Sequence, residues 1–377
     1  MLSKVSVVDA YKSLSGYNFI VVSDKIHGVI LNDELYCSCM GFSVHKKCKH
    51  VNKVFEYILE NDLDLGEEEY MVSNIKSSID YINDFFGGLP VGALLGQFGK
   101  HRVGKTITGI QYAFDVINYY SLNGETANAL ILDTEGTLAT YGLKDWINSL
   151  NKVFQQNVGL EVWRFDYLGW QKNKTINLEK HWQKETILKG DNKFILIDLP
   201  NLEKAHLLFG VPVHFELSDS GKMTVKYTKE WQQYNDNFEL VPIQKIVKEN
   251  NIKYILFDSF SALFEAPFIG GQQNYPARHD SSVALLTQAQ KIARENLISF
   301  VVNLHPTQNP ADVNTQAKHL GGKSVGHNFK LMIYHREGIK GRTPNATFRS
   351  VSLERHPSKK GLTGKYMITN NGVEKFK

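Results

Sequence analysis

The segment Gly99-Lys100-His101-Arg102-Val103-Gly104-Lys105-Thr106 constrains the fold of this chain more than any other feature. Four residues separate its two glycines, and lysine and threonine follow the second glycine directly. An apolar run at residues 92–98 precedes the segment, and a helical pattern at residues 107–120 follows it. Strand, glycine loop and helix in this order are the context in which the spacing forms a phosphate-binding loop. The motif therefore predicts an α/β fold.

Residues of this loop are predicted to bind the phosphates of a nucleotide. Gly99 and Gly104 allow successive backbone N–H groups to point inward at phosphate oxygens, and the following helix adds the positive end of its dipole. Lys105 is expected to reach the β- and γ-phosphates, and Thr106 to place its hydroxyl on Mg²⁺. ATP and Mg²⁺ are therefore the expected ligands. A chance glycine turn before a helix is the alternative.

Two further apolar runs end on carboxylates. Residues 129–132 lead into Asp133-Thr134-Glu135, and residues 254–257 lead into Asp258. The carboxyl ends of parallel strands meet at the edge of the sheet where ligands bind. We expect Asp258 to orient Mg²⁺ and its waters. We expect Glu135 to position and deprotonate the water that attacks the γ-phosphate. For either acid, a helix cap after a strand is the alternative.

Composition limits the class of protein. A chain of 377 residues favours two domains, and 42% hydrophobic with 22% charged residues fits a soluble globular protein. The formal net charge is only +4, so any contact with DNA must depend on local clusters of basic residues. The sequence has neither the apolar core of a signal peptide nor an apolar run that could span a bilayer. A cytoplasmic, nucleoid-associated protein without a membrane partner is expected.

Every cysteine falls within one short region. Cys37, Cys39, Cys48 and His50 supply three thiols and an imidazole, a complete tetrahedral ligand set for a structural Zn²⁺. An odd number of cysteines argues against a disulfide framework and for a reducing compartment. Strand patterns precede the set and a helical pattern follows it, which predicts a small ββα module stabilised by the metal. Buried cysteines beside a surface histidine are the alternative.

Cys-x-Cys, a short spacer and Cys-Lys-His, behind two strands and ahead of a helix, resemble the SWIM zinc finger over about residues 1–62. The resemblance implies binding of DNA or of a protein partner, without choosing between them. An acidic segment at residues 63–72 is expected to be a linker. Residues 73–377 would then form the nucleotide-binding core.

The motifs of the core follow the order of the RecA superfamily, and they resemble the archaeal RadA/RadB branch of recombinases in particular. The likeness covers about residues 73–168 and 238–377 and includes the segments 87–92, 99–106, 133–135, 256–259, 301–303 and 353–357. It implies a RecA-like P-loop NTPase core with a mostly parallel sheet. It also implies an ATP hydrolase modulated by DNA, acting in homologous recombination and DNA repair, and a possible homo-oligomer.

The same resemblance implies DNA-facing loops at about residues 268–278 and 306–323. Arg278, Lys318 and Lys323 become candidates for contacts with the phosphates of DNA, single-stranded DNA above all. Two residues become candidates for nucleotide sensing. His305 stands where recombinases usually carry a glutamine, and Arg355 matches a basic position that can sense the nucleotide of a neighbouring subunit.

Residues 167–237 exceed what the resemblance requires and are expected to be an insertion. They contain a buried-strand pattern at residues 194–198 and a hairpin pattern at residues 211–217 and 223–227. The helix-hairpin-helix domain usual in RadA and the Phe-x-x-Ala segment that links filament neighbours are not found. A recombinase paralogue or mediator is therefore expected. A non-catalytic ATP-binding adaptor that recruits a recombinase and a KaiC-like regulatory ATPase are the alternatives.

Overall fold

The computed structural model describes residues 6–13, 16–22, 26–31, 35–37, 49–60, 74–138, 142–167, 169, 178–210, 213–217, 223–227, 241–264, 275–306, 329–338 and 346–376. The chain divides into two compact units, Met1–Met71 and Val72–Lys377. None of the helices in the described ranges is both long enough and apolar enough to cross a membrane.

The N-terminal unit is an antiparallel meander followed by a helix. Its strands are β1 (Ser6–Ser13), β2 (Gly16–Val22), β3 (Ile26–Leu31) and β4 (Leu35–Cys37), paired in the order β1-β2-β3-β4, and its helix is α1 (Lys49–Glu60). The described residues of this unit therefore form four strands before the helix, two more than the predicted ββα arrangement has. The register of β1 shifts between Val7 and Asp9, which breaks the period-2 pattern, and β4 is too short to show one.

The larger unit is built around one large sheet, and its described residues also form a separate two-stranded sheet. Its strands are β5 (Leu94–Gly99), β6 (Asn128–Asp133), β7 (Val158–Phe165), β8 (Trp182–Leu188), β9 (Asn192–Asp198), β12 (Ile252–Asp258), β13 (Ser299–Leu304), β14 (Leu331–Glu337), β15 (Thr347–Arg355), β16 (Thr363–Thr369) and β17 (Gly372–Lys375). Within the described residues their order is β17-β16-β15-β14-β5-β13-β12-β6-β9-β7-β8. The strands from β14 to β7 are parallel. Antiparallel strands extend both sides.

Helices cover both faces of this sheet. They are α2 (Asp80–Phe86), α3 (Lys105–Leu122), α4 (Leu143–Phe154), α5 (Leu202–Leu208), α6 (Pro242–Glu249) and α7 (Tyr275–Glu295). Neighbouring strand residues point to opposite faces. Ile131 packs in the apolar cluster that contains residues of α2, α3 and α4, whereas Leu130 packs in the cluster that contains residues of α5, α6 and α7. Strands buried on both faces explain the continuous apolar runs in the sequence.

The segment expected to be an insertion contributes to the core. The strand predicted at residues 194–198 is present as β9, but it lies between β6 and β7 in the parallel sheet rather than outside it. The predicted hairpin is also present, as β10 (Val213–Leu217) and β11 (Met223–Tyr227). Its strands lie against α5 and α7. A strand in the middle of a sheet and a strand at its edge differ in their pairing partners. The partners of β9 are β6 and β7, which precede it in the chain, so a local pattern of apolar residues could not place β9 in the sheet.

Candidate nucleotide site

The predicted phosphate loop joins β5 to α3 at the carboxyl end of the sheet. Gly99 has φ +155° and Gly104 has φ +103°, conformations that favour glycine. A Cβ at Gly99 would meet the carbonyl oxygen of His335, and a Cβ at Gly104 would meet Ile368. Both glycines are therefore required by backbone conformation and by close neighbours on β14 and β16.

Lys105 points back into its own loop. Its Nζ donates hydrogen bonds to the carbonyl oxygens of Gly99, at 2.7 Å, and Lys100, at 2.9 Å. Burial lowers the pKa of Lys105 to about 8, although the nearby charges of Asp258 and Glu135 oppose this shift. The structure thus places the lysine close enough to both predicted acids for their charges to raise its pKa.

Asp258 ends β12 beside the first turn of α3. The hydroxyl of Thr106 donates to its Oδ2 at 2.6 Å, and Asn303 Nδ2 donates to its Oδ1 at 2.9 Å. Burial raises the pKa of Asp258, and these two hydrogen bonds oppose the rise. A hydroxyl and a carboxylate side by side are oxygen ligands of the kind that Mg²⁺ takes in phosphate-binding sites. The donor set therefore fits the predicted metal.

Glu135 is held beyond the end of β6 by Asp133. The carboxylate of Asp133 accepts hydrogen bonds from the backbone N–H groups of Glu135, at 3.1 Å, Gly136, at 3.0 Å, and Leu138, at 3.0 Å. Burial raises the pKa of Asp133 to about 6, against these backbone hydrogen bonds. Asp133 pairs with Asp258 on the neighbouring strand, so the turn carrying Glu135 starts from the same sheet edge.

The carboxylate of Glu135 belongs to a small polar cluster. Its Oε1 lies 3.1 Å from His305 Nε2 and 3.1 Å from Ser259 Oγ, and those two atoms lie 3.0 Å apart. The ring of His101, from the phosphate loop, lies 4.5 Å from the ring of His305 between centroids. The hydrogen bond from His305 is the main cause of the lowered pKa of Glu135. Glu135 is therefore held as a carboxylate close to the loop.

Sequence reasoning did not assign a role to Ser259 or His101. The position of each was nevertheless a signal, because Ser259 directly follows Asp258 and His101 lies within the phosphate loop. His305, predicted as a sensing residue, lies in this cluster.

Arg355 lies away from the phosphate loop of its own chain. It pairs with Met332 near the start of β14, and its Nη1 donates to the carbonyl oxygen of Phe329 at 3.3 Å. Arg349, at the other end of β15, donates from Nε to Val103 O at 3.1 Å and from Nη2 to Arg102 O at 2.9 Å. Arg349 therefore braces the loop, and no motif in the sequence identified it.

The predicted DNA-facing residues are mostly outside the described part of the chain. Lys318 and Lys323 fall there, as do residues 265–274 and 307–328. Arg278 is described, and it lies in the first turn of α7 with its side chain partly exposed. Residues 275–278, expected to belong to a loop, are therefore helical.

Two of the four predicted zinc ligands can be located. Cys37, at the end of β4, has its Sγ 3.9 Å from Nδ1 of His50, in the first turn of α1, and both side chains are buried. Cys39 and Cys48 lie outside the described residues. The described residues contain no group of three or more His, Cys, Asp and Glu side chains placed to hold a metal. The four-ligand zinc site stays a prediction.

No protein-family model matches the sequence, and no curated protein matches it. Among solved structures, the crystal structure of the RadB recombinase is similar, with a TM-score of 0.47 and 17% sequence identity. The match covers 81% of this chain and 100% of that chain. The arrangement of side chains around Lys105 is observed in this chain itself and does not depend on that likeness.

Proposed function

We propose that this chain is an ATPase of the RecA/RadA type that binds Mg²⁺-ATP at the loop of residues 99–106 and hydrolyses it. One observation carries the proposal. Thr106 and Asp258 are hydrogen bonded at 2.6 Å beside Lys105, and the charge of Glu135 acts on the same lysine. A cation for phosphate, oxygen ligands for Mg²⁺ and a carboxylate base are the groups that phosphoryl transfer to water requires.

Each residue has a defined part in the proposed reaction. Lys105 exchanges the carbonyl oxygens of its own loop for β- and γ-phosphate oxygens, and Thr106 and Asp258 would hold Mg²⁺. When bound there, the metal would supply positive charge that offsets the charge on the phosphate oxygens. Glu135 accepts a proton from the water whose oxygen attacks the γ-phosphorus as the bond to the bridging oxygen breaks. His305 and Ser259 orient Glu135 through their hydrogen bonds.

Glu135→Gln tests this mechanism. The variant keeps the shape and hydrogen bonding of the side chain but cannot accept the proton, so we expect phosphate release to fall by about 10²–10⁴-fold. Nucleotide affinity should remain close to that of the wild type, because Glu135 is not assigned to binding. The matched control is Glu125→Gln, which changes an exposed glutamate. Equal rates for Glu135→Gln and the wild type would remove Glu135 from the mechanism.

The proposed biological role is that of a recombinase paralogue or mediator in homologous recombination and DNA repair. Single-stranded DNA is the proposed partner, with Arg278, Lys318 and Lys323 as candidate phosphate contacts, and a recombinase and further copies of the chain are possible partners. The proposed location of the protein is the cytoplasm, in association with the nucleoid. ATPase assays with and without single-stranded DNA, at two salt concentrations, test this role, since phosphate contacts weaken as salt rises.

A non-catalytic adaptor is the second candidate. Leu304, in the Leu304-His305 pair that stands where recombinases usually carry a glutamine, and the lack of a Phe-x-x-Ala segment in the sequence favour a chain in which ATP has a structural role. DNA-stimulated turnover would exclude the adaptor. A KaiC-like regulatory ATPase would instead form ring hexamers without affinity for DNA, which gel filtration and a DNA shift assay detect.

We also propose that the N-terminal unit is a SWIM-type finger that binds Zn²⁺ through Cys37, Cys39, Cys48 and His50. The support is the contact between Cys37 and His50, which approach each other from β4 and α1. A thiol and an imidazole in contact suit zinc, whose structural sites are filled by protein ligands.

A further inference from the structure

Three polar side chains are buried in the middle of the sheet, where apolar residues are the rule. Gln97 on β5, Asn303 on β13 and His335 on β14 are each 0% exposed. Because β14, β5, β13 and β12 are neighbours in this order, the three side chains form a row that ends at Asp258. Buried polar groups are costly unless every member is hydrogen bonded, so the row requires an explanation.

The row is a continuous chain of hydrogen bonds. Starting at Asp258 Oδ1, Asn303 Nδ2 lies at 2.9 Å, and Asn303 Oδ1 lies 3.2 Å from Gln97 Nε2. Gln97 Oε1 lies 2.8 Å from Nε2 of His335, and Nδ1 of His335 lies 2.9 Å from the hydroxyl of Tyr366. The chain therefore connects the candidate magnesium ligand to β16.

The first links of this chain have a fixed direction. An ionised carboxylate can only accept hydrogen bonds, so Asn303 must present its amide N–H to Asp258 and its carbonyl oxygen to Gln97. Gln97 must then donate to Asn303, and its own carbonyl oxygen faces His335. His335 must therefore carry its proton on Nε2. Each donor in the row is determined by the group before it.

The far end of the chain is consistent with this direction. Burial lowers the pKa of His335 to about 3, so the imidazole is neutral at physiological pH and its Nδ1 accepts the proton of the Tyr366 hydroxyl. That hydroxyl also lies 3.0 Å from Val103 O. Val103 O accepts a hydrogen bond from Arg349 Nε at 3.1 Å. The carbonyl oxygen of Val103 therefore keeps a hydrogen-bond partner when Tyr366 donates its proton to His335.

We propose that His335 is a positioning residue for the magnesium ligand, acting through Gln97 and Asn303 to hold Asp258 with Oδ1 hydrogen bonded and Oδ2 toward Thr106. The inference rests on the proposed nucleotide-binding function and deepens it.

The hydroxyl of Thr108 also lies 3.2 Å from Gln97 Oε1, but its single proton is shared with the carbonyl oxygen of Lys105 at 2.8 Å, so His335 is the closer donor to Gln97. Without the donor on His335, the Gln97 amide is held less firmly and Asn303 loses part of its fixed orientation. The hydrogen bond to Asp258 is then weakened, and the carboxylate that would hold Mg²⁺ is less well pre-oriented. The effect falls on Mg²⁺ binding rather than on contacts between the loop and the nucleotide.

The experiment measures binding of an ATP analogue with a fluorescent ribose group to the full-length protein during titration with Mg²⁺, and again in EDTA. For His335→Leu we expect the half-saturating Mg²⁺ concentration to rise about tenfold, as for a lost hydrogen bond to a charged group. Affinity in EDTA should stay within about twofold of the wild type, since the loop is intact. His335→Gln can still donate to Gln97, and its Mg²⁺ requirement should return close to that of the wild type.

Gln97→Met provides a second break in the chain with a side chain of similar length, should His335→Leu fail to fold. It should raise the Mg²⁺ requirement in the same way. Unchanged Mg²⁺ titrations for both variants, or a His335→Gln protein as impaired as His335→Leu, would overturn the inference. Lys105→Ala separates this result from the proposed function. If that variant binds the analogue as tightly as the wild type, the nucleotide site itself is wrong and the inference falls with it.

Discussion

Lys105 illustrates how a single residue is prepared for a ligand. Its ammonium group is buried, and carbonyl oxygens of its own loop satisfy it. Burial of a cation favours its neutral form, which is why its pKa falls to about 8. Phosphate oxygens would restore the charge, so nucleotide binding and protonation of Lys105 are linked.

This linkage predicts how nucleotide affinity depends on pH. Below pH 8 the amine is already charged; above pH 8 binding must take up a proton, so affinity should fall, by about tenfold for each further pH unit. Dissociation constants for an ATP analogue at pH 7, 8 and 9 measure the effect. In Lys105→Arg the guanidinium keeps its charge, so the weaker affinity of that variant should change little over the same range. A flat profile for the wild type would contradict the assignment.

At the scale of elements, Asp115 fastens the start of the core to α3. Its carboxylate accepts hydrogen bonds from Ser77 Oγ at 2.6 Å and from the backbone N–H of Ser78 at 3.0 Å. These residues directly precede α2, so one side chain of α3 fixes the entry to the neighbouring helix. Burial raises the pKa of Asp115 from 3.8 to about 6, in spite of these hydrogen bonds.

The raised pKa predicts a pH-dependent stability. A carboxyl with a higher pKa in the folded state binds a proton more tightly when folded, so this group's contribution to stability falls as pH rises from about 4 to 6. The loss is about 3 kcal/mol at most, at 1.36 kcal/mol per pKa unit. Asp133 acts in the same direction, so the informative quantity is the difference between variants.

Urea unfolding at pH 4.5 and pH 7 measures this difference. Asp115→Asn should lose part of the pH dependence, while the control Asp191→Asn, an exposed position, should retain all of it. If the wild type and Asp115→Asn change in parallel between the two pH values, Asp115 does not titrate as described.

At the scale of the whole molecule, the chain divides into two compact units of different size. The unit Val72–Lys377 has large apolar clusters on both faces of its sheet. The unit Met1–Met71 has a four-stranded meander and a helix among its described residues. A domain of that size buries a smaller fraction of its surface than a large domain does, so a structural metal would add much to its stability.

Zinc content therefore tests the role of the N-terminal unit. The purified full-length protein should contain about one Zn²⁺ per chain, as a four-ligand structural site requires. Cys48→Ser should lose most of the metal and lower the unfolding temperature of this unit. The control variant Asn52→Ala, at an exposed position on α1, should retain both the zinc content and the unfolding temperature of the wild type. Metal analysis by mass spectrometry and thermal unfolding provide the measurements, and a wild-type protein free of zinc after expression with the metal would contradict the site.

Local chemistry made much of the candidate site predictable. Gly99, Gly104, Lys105 and Thr106 lie within one eight-residue segment, and the geometry of a short loop brings them together. Asp258 follows an apolar run that marks a buried strand, and Glu135 follows another such run by a short turn. The strand β9 and the β10–β11 hairpin were found in the same way, since each leaves a local pattern of apolar residues.

Other features arise only when distant strands pair. The place of β9 inside the sheet, the hydrogen bonds from Arg349 to the phosphate loop, and the row from His335 to Asp258 all depend on strand order. Gln97 and Asn303 are 206 residues apart in sequence but hydrogen bonded in the fold. The residues proposed to carry the chemistry could be identified from the sequence, because their spacing along the chain is a local property. The tertiary structure alone decided which buried polar groups support them, because that follows from the partners each strand acquires in the sheet.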